Sequence, residues 1–60
     1  MNLLTVTEAA RRLALSRSTV YNLMERGDLA YVKIGRARRI PVDELERLVR
    51  ESTVSRRSVA

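Results

Sequence analysis

The sequence predicts a small α+β fold of two short helices, a two-stranded hairpin and a closing helix. Three observations predict it. Apolar side chains recur at helical spacing in residues 8–14, 17–26 and 42–49; the period shortens to two from Ala30; and Gly27, Gly35 and Pro41 stand at the joints. Sixty residues hold one domain, and a chain of that size buries only about 60% of its unfolded surface, which makes it marginal alone. Cysteine and histidine are both absent, which excludes disulfides, thiolate or imidazole metal sites and an imidazole base. Stability must come from packing or from a partner.

The opening LLTV, with Leu3, Leu4 and Val6, is short and apolar enough to lie as an extended segment against the core. In TVTEAARRLAL, Thr7 is a candidate N-cap with Glu8 placed against the positive end of the helix dipole, and Ala9, Ala10 and Leu13 share one side. That predicts a first helix over residues 8–14, with Arg11 and Arg12 outside, as a solvated face or with one of them near a phosphate. In SRSTVYNLMERGD, Ser16 is the cap, Val20, Leu23 and Met24 follow at i, i+3 and i+4, and Gly27 stands just past the last turn. The second helix is expected over residues 17–26. Its other face carries Arg17, Ser18, Tyr21, Asn22, Glu25 and Arg26, which donate and accept hydrogen bonds with little apolar bulk and so suit a groove.

From Ala30 the alternation puts Val32 and Ile34 on one face and Tyr31 and Lys33 on the other, with Arg39 and Ile40 as a returning strand. The tip is expected at Gly35 to Ala37, and Tyr31 as a strand residue shielding the core. Pro41 ends the strand. VDELERLVRE then places Val42, Leu45, Leu48 and Val49 on the inner side of a third helix, with Asp43 and Glu44 in its first turn and Arg47 and Arg50 near its last. STVSRRSVA has no periodicity and is expected to be a flexible basic tail over residues 52–60, after a domain over residues 1–51.

The charge is as informative as the pattern. With 12 Lys+Arg against 7 Asp+Glu, the net charge is +5 and the pI about 11.1, a sign that concentrates polyanions around the protein. Residues 1–40 carry eight basic and three acidic side chains, residues 41–51 two and four, and residues 52–60 two and none. The body is therefore basic and the third helix acidic. KIGRARRIP packs Lys33, Arg36, Arg38 and Arg39 into the hairpin.

Helix, turn, helix, hairpin, helix is the order of a winged helix-turn-helix, in which the second helix enters the major groove and the hairpin lies along the backbone or in a flanking minor groove. An arginine at such a tip can pair with phosphate through its planar fork or enter a narrow minor groove. The candidate contacts are Arg17, Ser18, Thr19, Tyr21, Asn22 and Arg26 in the helix and Lys33, Gly35, Arg36, Arg38 and Arg39 in the wing. Tyr21 touches DNA or packs over the surface; Asn22 reads adenine or faces water; Arg56 and Arg57 attract phosphate or solubilise.

Residues 4–49 resemble the excisionase-type DNA-binding domain, a small winged helix-turn-helix related to MerR-type domains. TVTEAARRL, SRSTVYNLMERGDL and VKIGRARRIPVDEL carry the resemblance, in that order and spacing. It implies DNA binding, with the recognition helix at Arg17 to Arg26 and the wing at Gly35 to Arg39. With so little sequence outside the domain, the chain is most similar to free-standing phage excisionases, including those of mycobacteriophages. These recombination directionality factors bind beside an attachment site, bend DNA and help integrase run towards excision. The resemblance therefore implies double-stranded DNA and integrase as partners, in the cytoplasm of a bacterial host. A transcription regulator of prophage genes on the same domain is the alternative. The family's turn usually reads Leu-Gly-Val-Ser, whereas Leu13-Ala14-Leu15-Ser16 puts an alanine where a positive φ is expected, at roughly 1 kcal/mol.

Other function classes fit less well. Ser16, Ser18, Tyr21 and Tyr31 are hydroxyls without a histidine base, so no enzyme is expected. Asp43, Glu44 and Glu46 are dipole partners of a helix first turn rather than metal ligands, and neither metal nor cofactor is expected. No 18-residue apolar run and no long basic amphipathic helix occurs, so a membrane is not expected as a partner. A lone module of this size buries roughly 600–1,000 Å² on DNA. That favours several copies bound cooperatively at repeated sites by a chain that is monomeric in free solution.

Overall fold

The computed structural model describes residues 2–55. The elements run β1 (Leu3–Leu4), α1 (Val6–Leu13), α2 (Arg17–Glu25), β2 (Val32–Ile34), β3 (Ala37–Pro41) and α3 (Val42–Ser52). This is the expected α+β winged helix-turn-helix with its closing helix, and a short third strand is added to it. The sheet is antiparallel in the order β1-β3-β2, with Leu3 opposite Pro41 and Leu4 opposite Ile40 on one side of β3, and Val32 opposite Arg39 and Lys33 opposite Arg38 on the other. The extended opening segment is thus a strand, but Val6 already belongs to α1.

That helix begins two residues before the expected start because Thr5, not Thr7, caps it. Glu8 N–H donates to Thr5 Oγ1 at 3.0 Å and Thr5 N–H donates to Glu8 Oε1 at 2.9 Å. The T-x-x-E spacing of a capping box is met by Thr5 and Glu8, whereas Thr7 lies inside the first turn. These bonds, Thr5 N–H first, hold the Glu8 carboxyl below the usual carboxylate range. Ser16 caps α2 as expected, accepting from Thr19 N–H at 3.1 Å.

Both helices of the pair end in the same way. In α1 the N–H of Ala14 donates to Arg11 O at 3.2 Å and that of Leu15 to Ala10 O at 2.9 Å. In α2 the N–H of Gly27 donates to Met24 O at 3.1 Å and that of Asp28 to Leu23 O at 2.9 Å. These are two Schellman motifs, each turning on a residue with positive φ, 57° at Ala14 and 80° at Gly27. Only glycine adopts that conformation without a Cβ penalty. Ala14→Gly is therefore expected to raise stability by about 1 kcal/mol and Gly27→Ala to lower it by about as much, read from urea midpoints at constant slope. An unchanged midpoint for Ala14→Gly would mean that the turn carries no strain.

Leu4, Val6, Ala9, Ala10, Val20, Met24, Leu29, Ile40 and Leu45 form the core, with Leu13, Tyr21, Leu23, Tyr31, Val42 and Leu48 packed around it. Leu29 is buried in the segment between Gly27 and the wing, where no periodicity marked it. Val49, expected on the inner side of α3, is 53% exposed. The wing tip is Gly35 and Arg36 alone, since Ala37 already pairs with Ile34. A two-residue loop needs a turn whose backbone twist matches that of the strands, and such a turn takes a glycine of positive φ at its first position, which Gly35 supplies.

A polar strap ties the loop after α2 to α3. Arg47 bonds Glu44 and Glu51 and donates from Nη2 to Asp28 O at 2.9 Å, while Ala30 N–H donates to Glu44 Oε1 at 3.0 Å. The Arg47 guanidinium, with Ala30 N–H second, holds the Glu44 carboxyl below the usual carboxylate range. Glu44 therefore acts as a tether as well as a dipole partner, and the tether fixes where the wing leaves the body.

Candidate nucleic-acid interface

Val20 and Met24 bind α2 to the core, which turns the opposite stripe outward: Ser18, Asn22 and Glu25, at i, i+4 and i+7, are all exposed. Arg17 is exposed beside this stripe and its guanidinium lies 5.9 Å from the centroid of the Tyr21 ring. Tyr21 itself is half-buried and packs against the core, leaving one ring face towards the wing.

Alternation along the hairpin divides the wing residues between two faces. Arg38 shares the inward face with the buried Ile40, and Lys33 lies opposite it. The Arg38 guanidinium sits 5.4 Å from the Tyr21 centroid and 4.9 Å from the Tyr31 centroid, and its Nη1 pairs with Glu25 Oε1 at 3.2 Å. The wing is thereby joined to α2 through one side chain. Arg39 belongs to the outward face with Val32, half-buried, its Nη1 donating to Arg38 O at 2.9 Å. Lys33, Gly35 and Arg36 are exposed, the last two at the tip.

Of the expected contacts, Arg17, Ser18, Tyr21 and Asn22 lie together on α2 and Arg38 joins them from the wing, with Lys33 opposite it on the same face; Gly35 and Arg36 stand at the tip and Arg39 on the outward face. Two lie elsewhere. Thr19 meets Ser16 at the helix start, with 2.8 Å between hydroxyls, on the flank facing Leu23, Leu48 and Val49. Arg26 is beyond the last turn, bonded to Asp28 in a groove it shares with Glu44 and Arg47. Two members of the region went unassigned from sequence: Glu25 as partner of Arg38, and Tyr31 as a second ring under it. The alternation of Tyr31 and Lys33 with Arg38 across the hairpin was the signal available for the ring.

Arg11 and Arg12 are exposed in the last turn of α1, and Arg56 and Arg57 lie outside the described residues. Among the described residues, no helix is long and apolar enough to cross a membrane, and no group of three or more Asp, Glu, His or Cys side chains is placed to hold a metal ion.

Fold and surface together define a small winged helix-turn-helix module of the DNA-binding class. The family model described as a helix-turn-helix domain matches residues 3–53. A probable excisionase of Saccharopolyspora erythraea is 54% identical over 39 residues, which is 65% of this chain and 40% of that protein. An excisionase of Streptomyces ambofaciens is 43% identical over 49 residues, 82% of this chain and 79% of its own length. The chain belongs to the excisionase family of helix-turn-helix proteins, which bind DNA and are not enzymes. It spans about 40% of the length of the first of these relatives. No solved structure matches it.

Proposed function

We propose that this protein is a phage-type excisionase, a recombination directionality factor that binds repeated sites beside an attachment site, bends the DNA and helps integrase excise. The observation that carries the reading is the union of an exposed polar stripe on α2 with a basic wing through Arg38, in a chain 43–54% identical over the aligned residues to two excisionases. In this reading α2 lies in the major groove. Asn22 and Ser18 face base edges, Arg17 and the Tyr21 hydroxyl reach the backbone, and Lys33, Arg36 and Arg39 follow phosphate or a narrow minor groove with Gly35 allowing close approach. Thr19 serves the cap and Arg26 serves Asp28. The basic tail over residues 52–60 adds phosphate attraction without sequence preference.

A single copy buries too little surface to hold a site firmly, so neighbouring copies bind cooperatively while the free chain is a monomer in the bacterial cytoplasm. The test is to select genomic fragments with the purified protein and footprint those retained. Tandem sites beside an integrase attachment site, protected cooperatively and bent, are the expected result. One isolated site over a promoter, with none near an attachment site, would instead make it a transcription regulator, and a tight dimer in sedimentation without DNA would refute the monomer.

A further inference from the structure

Glu25 is the anomaly of the proposed DNA face. A carboxylate one turn beyond Asn22 on the stripe that enters the groove is repelled by every nearby phosphate, and its side chain is 66% exposed. Its partner is Arg38, whose side chain is only 27% exposed because Tyr21 and Tyr31 flank it. The two rings hold the guanidinium by cation–π attraction and stacking, whichever anion it faces. The ion pair itself is open to water on the Glu25 side, and pairs of that kind are worth only ~0–1 kcal/mol. Arg38 is thus fixed in position while its anion is easily exchanged. A DNA phosphate, which an arginine fork engages through two parallel bonds, is a better anion than one carboxylate oxygen at 3.2 Å.

We propose that Glu25 is a specificity-determining residue for DNA, its charge balanced by Arg38 in the free protein. On a fitting duplex a backbone phosphate takes over Arg38. The freed carboxylate then accepts a hydrogen bond from a major-groove amino group, cytosine N4 or adenine N6. Where the near strand offers guanine or thymine, acceptors face the carboxylate and the exchange is unfavourable. Arg38 is the positioning residue of this device, since it sets both the wing angle and the cost of releasing Glu25. The inference rests on the reading that α2 enters the major groove.

Glu25→Gln tests it, measured by titration on the best footprinted duplex and on a random duplex at one salt concentration. Glutamine keeps the shape and removes the charge, and at so exposed a site the thermal midpoint is expected to stay at the wild-type value. Binding to random duplex is expected to tighten while binding to the preferred site stays level or weakens, so that the ratio of affinities falls at least about tenfold. The same factor on both duplexes, or no change on either, would overturn the proposal. A wild-type protein that bound neither duplex would overturn the DNA-binding reading itself, a result distinct from equal shifts.

Discussion

Replacing Ile40 by alanine is expected to leave the chain largely unfolded at 37 °C. Ile40 is fully buried, lies opposite Leu4 across the β1–β3 pair and packs among the core residues of all three helices. Truncating a buried isoleucine to alanine costs about 2–5 kcal/mol, through lost transfer energy and the cavity left behind. A domain below about 70 residues rarely has more than 3–5 kcal/mol in total. The two figures are of one size, so a single substitution removes most of the margin. Ile40→Val, at about 0.5–1.5 kcal/mol, is expected to fold and melt a few degrees lower. Circular dichroism melts of the three proteins check this, and a wild-type melt for Ile40→Ala would show that β3 does not anchor the sheet.

Much of this fold was legible because its boundaries are local. Ser16 and Gly27 delimit α2 through hydrogen bonds that close within a few residues, and those depend on residue type at fixed offsets. The start of α1 was equally local yet misread, since Thr5 and Thr7 are both competent caps and the decision falls to the position of Glu8. Leu29 was not legible. It is buried in the common core with residues of all three helices and β3, by contacts between segments that no period announces. Val49 fails in the opposite sense: it lies on the apolar side of its helix, yet it lines an open groove with Leu13, Thr19 and Leu23 and stays exposed. The site divides likewise. Residue types and helical spacing mark Asn22 and Ser18, whereas the pairing of Glu25 with Arg38 depends on a hairpin folding back across α2 over a separation of 13 residues. Charge count alone read Arg38 as one more DNA contact of the wing.

Asn22→Ala is expected to weaken binding to the preferred site roughly ten- to a hundredfold and to leave random duplex within about twofold. An asparagine amide meets adenine N6 and N7 together, and a bidentate pair of that kind is worth about 1–3 kcal/mol of discrimination. The substitution should not disturb α2. Its backbone carbonyl still accepts from Arg26 N–H at 3.0 Å, and alanine is the better helix former. Titration of both duplexes at one salt concentration separates the outcomes: equal losses would assign Asn22 to the backbone, and no loss on either would assign it to water. The pairing with Glu25 sharpens the test, because the two residues lie one turn apart on the same stripe and differ in charge. Removing a neutral amide leaves the phosphate field unchanged, whereas removing the carboxylate makes that field less repulsive. On random duplex the Asn22 variant is therefore expected to bind as the wild type does while the Glu25 variant binds more tightly. That contrast separates base readout from charge repulsion in a single pair of titrations.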